Sequence, residues 1–146
     1  MSPGQIAVGT VVLALVVVAL VVAGALAWYR RWVGSAARLA GPGAWVAACV
    51  DPTNPRAWRA LVIDGAGVHL WRTGGREVNA WPWPTISGAV AGPVRPFASA
   101  IAHEGLRLGL TDGSSVEFLF PSRSTLRYPP ELLQRARQEL ARYGKV

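Results

Sequence analysis

The chain is poor in the residues that build fixed chemical sites. Its 146 residues include one cysteine, Cys49, and two histidines, His69 and His103. A single thiol excludes an intrachain disulfide, and ligands at positions 49, 69 and 103 lack the spacing of a zinc site. Neither histidine stands at a spacing from serine, cysteine or aspartate that hydrolases use, so both read as surface strand residues. Acidic residues number eight and are scattered, and Asp64 and Asp112 fall at turns, where aspartate serves the backbone. Neither G-x-x-x-x-G-K-[ST] nor G-x-G-x-x-G occurs, and Gly-rich stretches such as Thr73-Gly74-Gly75-Arg76 join strands instead of opening helices. The expectation is a protein that is not an enzyme, with no cofactor and no metal.

Charge is also missing from the first 29 residues. Ile6 to Tyr29 (IAVGTVVLALVVVALVVAGALAWY) is a run of 24 residues dominated by Val, Leu and Ala. As a helix it would be about 36 Å long, enough to cross a hydrocarbon core of roughly 30 Å with some tilt. A helix apolar on every face has no use for water on any of them. A cleaved secretory signal is the competing reading, since Ala23, Ala25 and Ala27 offer small-residue spacings. Met1 to Gln5 carries no Lys or Arg, however, and the run exceeds the usual signal core of roughly 7 to 15 residues. Val46-Ala47-Ala48-Cys49 resembles a lipobox, yet Arg30, Arg31, Arg38 and Gly41-Pro42-Gly43 separate it from the apolar run. Cys49 is therefore expected as a buried or half-buried strand residue.

Orientation follows from the basic flank. Arg30, Arg31 and Arg38 lie just past the apolar run, which predicts a short extracytoplasmic N-terminus (1–5), a transmembrane helix (6–29) and a cytoplasmic remainder at the cell membrane. Trp28, Tyr29 and Trp32 straddle the boundary and, with the three arginines, form the expected membrane-interface set. The other segments are a basic juxtamembrane linker (30–43), read as a frayed helical extension and a hinge, and one soluble domain (44–146). About 117 residues beyond the run suffice for one such domain.

The net charge of +7 lies entirely after Tyr29, and all the basic residues but Lys145 are Arg. This bias beside abundant Ala, Val and Gly matches a GC-rich genome. The arginines are spread singly, without a dense run or nucleic-acid motif, so nucleic acid is not an expected partner. An anionic leaflet is, because a basic residue close to it gains roughly 1 kcal/mol.

From Ala44 the pattern is one of short β-type runs. Strands are expected at Ala44 to Val50, Trp58 to Ile63, Val68 to Arg72, Glu77 to Trp83, Thr85 to Val94, Ala98 to His103, Leu106 to Thr111 and Ser114 to Phe120. Asp51-Pro52-Thr53-Asn54-Pro55, Asp64-Gly65-Ala66-Gly67 and Asp112-Gly113 supply turns. Pro82 and Pro84 mark an edge or strand end. A polar loop spans Pro121 to Pro130. Glu131 to Tyr143 then forms a helix whose Leu132, Leu133, Ala136, Leu140 and Tyr143 share a stripe, with Gly144 at its C-cap. About seven strands and one amphipathic helix suggest a curled antiparallel barrel with the helix plugging one end.

This order of elements resembles the pleckstrin-homology-like superfold, in particular small bacterial PH and GRAM-type domains. The stretches that carry the likeness are Trp58 to Gly65 with Gly67 to Arg72, then Trp81-Pro82-Trp83-Pro84-Thr85-Ile86-Ser87, then Gly105 to Val116. The resemblance covers about 100 residues and implies seven strands in two orthogonal sheets capped by the helix. Only Arg59, Arg72 and Arg76 stand where phosphoinositide-binding members concentrate Lys and Arg, so headgroup specificity is not carried over. The plan of one helix plus one small β-domain is also similar to small actinobacterial membrane proteins of unknown function.

Seven tryptophans are many for this length. Trp81, Trp83 and Phe97 bracket a Pro-rich region, with Arg72, Arg76 and Arg95 near in sequence. Those six are the expected contact patch, against the alternative that the rings fill the barrel. The functional expectation is a non-catalytic single-pass protein whose PH-like domain docks a protein partner, contacts anionic lipid, or both. Two alternatives are a lipid or small-ligand binding module and an accessory subunit of a membrane enzyme or transporter.

Overall fold

The computed structural model describes residues 3–72, 75–121, 128 and 130–146, leaving aside the side chains of Pro3 and Arg56. Helix α1 (Pro3–Ala40) is followed by β1 (Trp45–Asp51), β2 (Asn54–Ile63), β3 (Gly67–Trp71) and β4 (Glu77–Pro82). A 3-10 turn (Trp83–Thr85) leads to β5 (Ile86–Val94), β6 (His103–Leu110), β7 (Ser115–Phe118) and α2 (Pro130–Arg142). Most of the expected Pro121 to Pro130 loop lies outside the described residues. By compactness the chain divides into Met1–Arg31 and Trp32–Val146.

The first unit is helix alone. Aliphatic residues that favour helix or tolerate it, with no proline after Pro3, let one hydrogen-bond ladder run unbroken. The Thr10 hydroxyl donates to the Ile6 carbonyl at 2.9 Å, so its polar atom is satisfied within the helix. The large aliphatic side chains from Ile6 to Val22 are each 49–67% exposed.

Beyond Tyr29 a regular helix continues to Ala40, where a frayed extension was expected. Ala36-Ala37-Arg38-Leu39-Ala40 are strong helix formers, and Gly41 and Gly43 then stop the helix at positive φ (83° and 81°) around a proline that cannot donate. Packing reinforces propensity. Trp32 and Ala36 are buried, and Leu39 lies so directly on Gly75 that a Cβ there would overlap its Cδ1.

In the second unit β1-β2-β3-β4 and β5-β6-β7 form two antiparallel sheets. Local chemistry sets the hairpins. Asp51 Oδ1 accepts from the Thr53 N–H (2.8 Å) and hydroxyl (2.7 Å), which shortens the expected five-residue turn and starts β2 at Asn54. Pro55 is tolerated at the beginning of that strand. At the next turn, an added Cβ on Gly67 would overlap the Trp81 carbonyl oxygen, so only glycine allows β3 to lie this close to β4. Asp112-Gly113 makes the expected β6–β7 turn, with Gly113 at φ 89° and the Leu110 N–H donating to the Ser114 carbonyl at 2.9 Å.

The expected closed barrel is not formed. On one side Val50 and Leu119 exchange two backbone hydrogen bonds (2.9 and 3.1 Å) and join β1 to the end of β7. On the other side β4 and β5 belong to separate sheets. Pro82 and Pro84 have no N–H, and the 3-10 turn that contains Pro84 redirects the chain, so β5 begins in the other sheet instead of continuing the first. Ala98 to His103 is not a strand either. Ala98 takes φ 60° and the Ser99 N–H bonds the Pro96 carbonyl at 3.0 Å, turning the chain before β6 begins at His103.

The core lies between the sheets and α2. Ala47, Cys49, Leu61, Ile63, Val68 and Trp81 come from the first sheet, Ile86, Ala89, Leu106, Leu108 and Phe118 from the second, and Leu133, Ala136 and Leu140 from α2. Trp81 meets Phe118 edge-on at 5.7 Å, tying the sheets together. The opposite face of the first sheet is also dry, since Ala48, Ala60 and Val62 are fully buried. A Schellman motif ends α2: the Lys145 N–H donates to Leu140 (3.1 Å), the Gly144 N–H to Ala141 (3.0 Å), and Gly144 has φ 69°.

Candidate membrane anchor and contact surface

Residues Gly4–Ala40 form one helix long and apolar enough to cross a membrane, and its most apolar stretch is wholly unburied. The six residues expected at its boundary divide by environment. Trp28, Arg30, Arg31 and Arg38 are exposed, whereas Tyr29 and Trp32 are buried. The Trp32 indole is thus part of the protein interior and is not spread on a surface. Arg38 reaches the Ser35 hydroxyl at 3.5 Å.

The six residues of the expected contact patch also occupy different places. Trp81 is buried in the core. Trp83 is half-buried; its indole N–H donates to the Asp64 carbonyl at 3.1 Å and its ring stacks on Tyr143 at 4.3 Å. Both fix the end of β4 nearest Gly67, which pairs with Pro82. Arg72 and Arg76 are exposed at the opposite end of the β3–β4 hairpin, where the Arg72 N–H donates to the Arg76 carbonyl at 2.8 Å. Arg95 and Phe97, also exposed, follow β5, whose nine residues span roughly 30 Å from the Trp83 turn. The geometry brings together Trp81 with Trp83, Arg72 with Arg76, and Arg95 with Phe97, as three pairs.

Ile101 did not stand out in the sequence. Strand alternation over Ala98 to His103 hid it; the signal against a strand was the Pro96 and Ser99 that flank Phe97 and Ala98. Here Ile101 and Phe97 both project from the β5–β6 turn.

Among the described residues, His69, Asp64 and Glu77 make a three-membered polar constellation. His69 on β3 has Nε2 3.1 Å from Asp64 Oδ1 and Nδ1 3.2 Å from Glu77 Oε2. A doubly protonated ring donates at both nitrogens, and a neutral ring at only one. Burial pushes the Asp64 carboxyl up, but the Ala66 and Gly67 N–H groups and His69 together outweigh it and leave the group below the ordinary carboxylate range. Asp112 is likewise lowered, by the Ser114 hydroxyl and then the Ser114 N–H. Burial pushes the Cys49 thiol up and seals it from solvent, so it offers no thiolate. Among the described residues no group of three or more His, Cys, Asp or Glu is placed to hold a metal ion.

A cleft of about 360 Å³ is bordered by Ser87–Val90, Arg107, Gly109 and Gly144–Val146. Its cations are committed: Arg107 Nη2 holds Glu117 at 2.8 Å and the Lys145 ammonium donates to the Ile86 carbonyl at 2.9 Å. The arrangement braces the last residues against β5 and leaves little charge to recruit an anion. Neither a protein-family model nor a curated protein matches the chain.

Proposed function

We propose that this chain is a non-catalytic single-pass membrane protein whose β-domain serves as a docking module at the cytoplasmic face of the cell membrane. One observation carries the reading: the large aliphatic side chains of α1 from Ile6 to Val22 are exposed on every face of that stretch, while the second unit has its own core. Leaving a dozen Val, Leu and Ile side chains in water would forgo about 1.5–3 kcal/mol each, which a bilayer restores. Arg30, Arg31 and Arg38 favour the cytoplasmic side for the domain. The four-plus-three sheets with α2 packed on β5 and β6 support a PH-like architecture, here with an open β4–β5 seam. The absence of a chemical constellation in the sequence favours contact over catalysis, with a protein partner docked and the basic surface set against anionic lipid.

The test is membrane extraction of the full chain with topology reporters at either end. The chain should stay in the pellet after alkaline carbonate washing, with the C-terminal reporter cytoplasmic. Release into the supernatant would remove the anchor, and an external C-terminal reporter would reverse the orientation. Mild-detergent capture from native membranes then tests docking, and recovery of the chain by itself would favour a lipid-binding role.

A further inference from the structure

The turn between β5 and β6 carries the two most exposed large apolar side chains described in the second unit, Phe97 (74%) and Ile101 (66%). They are four residues apart, and Ala98 and Ala100 between them are exposed too, so the tip is one apolar surface. Folding does not leave it loose. Pro96 is buried beneath it, the Phe97 N–H donates to the Pro52 carbonyl at 2.7 Å, and the Ser99 hydroxyl donates to the Ile101 carbonyl at 3.1 Å. The Ile101 N–H returns a bond to the same hydroxyl at 3.2 Å. Ala98 holds φ 60°, a conformation unfavourable for any residue with a Cβ. The turn is therefore fixed in a shape that presents its apolar side chains outward, when a collapse onto the protein would hide them.

The charges suit one occupant. The tip from Arg95 to His103 carries no acidic residue and Arg95 is exposed at its base; Glu104, exposed and paired with Pro93, lies further down the strands, and Asp51 is turned to the Thr53 N–H and hydroxyl. We propose that this turn is a second membrane contact, in which Phe97 and Ile101 enter the headgroup–acyl boundary of an anionic leaflet and Arg95 meets lipid phosphate. The inference rests on α1 being a membrane anchor. Lipid accepts a convex apolar tip of any contour, and the tether makes the encounter intramolecular, so modest intrinsic affinity suffices.

The test uses the full chain in nanodiscs of phosphatidylcholine with a minority of phosphatidylglycerol. An environment-sensitive fluorophore is placed at Ala100→Cys, leaving Phe97 and Ile101 intact; reference labels go at Val16→Cys in α1 and Val90→Cys on the outer face of β5. Nitroxide lipids bearing the spin near the headgroup should quench the Ala100→Cys label strongly and the Val90→Cys label little, and lipids bearing the spin deep on the acyl chain, which report on mid-span, should quench the Val16→Cys label. Phe97→Ser should lower the inserted-to-free ratio about tenfold or more, and Arg95→Gln about fivefold. Quenching at Val16→Cys but not at Ala100→Cys overturns the second contact and leaves the anchor standing. No quenching at Val16→Cys overturns the anchor itself. An Ala100→Cys signal that depends on the number of chains per disc, and not on the nitroxide, assigns the turn to self-association and also overturns the proposal.

Discussion

Valine, leucine and alanine fill both units of this protein, and they meet opposite fates. In α1, Leu13 and Leu20 are more than 60% exposed; in the sheets, Leu61 and Leu108 are fully buried. The residue type is the same at these four positions, so the difference lies in what surrounds each leucine along the chain. The α1 run has no polar face that could turn toward water, whereas β6 alternates Leu106, Leu108 and Leu110 with Gly105, Arg107 and Gly109. An element with one polar face can close a core in water; an element with none needs another solvent.

Charge is the strongest way to break that contrast. Arginines at Leu13 and Val17 should cost about 2.5–3.5 kcal/mol each if α1 crosses a bilayer, and carbonate extraction should then release the chain. The melting of the second unit should not change. Truncating a core ring comes next. Phe118→Ala removes the partner of Trp81 and leaves a cavity between the sheets, so urea unfolding should show a loss of about 3–5 kcal/mol. Leucine gives the sharpest pairing of the two regions. Leu108→Ala should lose about 2–5 kcal/mol in the same assay, while the identical change at Leu13 should leave it unmoved. Equal effects at the two leucines would mean that α1 is part of a water-soluble core.

Smaller effects probe the joints. Gly67→Ala places a methyl on the Trp81 carbonyl and should destabilise by about 1–3 kcal/mol as the hairpin shifts. The double aspect of Trp83, one indole hydrogen bond and one stacked ring, predicts about 1 kcal/mol for Trp83→Phe, which keeps a ring against Tyr143 and loses the bond to Asp64.

These joints show what the sequence could and could not disclose. The long helix, the Asp112-Gly113 hairpin and the α2 stripe of Leu133, Ala136 and Leu140 were legible because each is set by residues within one or two turns of one another. The placement of Trp81 was not, because whether an indole faces a core or a partner depends on Phe118, far along the chain. Closure of the barrel was misjudged for a related reason. Pro82 and Pro84 mark the end of a strand in the sequence, but their effect on pairing with β5 depends on where the 3-10 turn aims the chain. The Ala98 to His103 turn is set by Pro52, more than forty residues upstream, through its bond to Phe97. The candidate contact residues separated into three pairs because proximity in sequence says little across an extended strand.

The mildest prediction concerns acid. Asp64 gathers two backbone N–H groups and a His69 ring nitrogen, and its carboxyl sits lower in the folded chain than in the unfolded one. The unfolded chain therefore takes up a proton first as pH falls. Asp64 thus contributes stability that is complete above the ordinary carboxylate value of 3.8 and is lost as pH drops through its lower folded value. Asp64→Asn keeps an acceptor but no charge, so wild type and variant should differ near neutrality and converge in strong acid. The difference should be small, because the half-buried group keeps contact with solvent, which screens its charge. Measured by urea unfolding across the acid range, a gap that stayed constant as pH fell would show that the backbone caps, and not the ionised carboxylate, hold the β2–β3 turn.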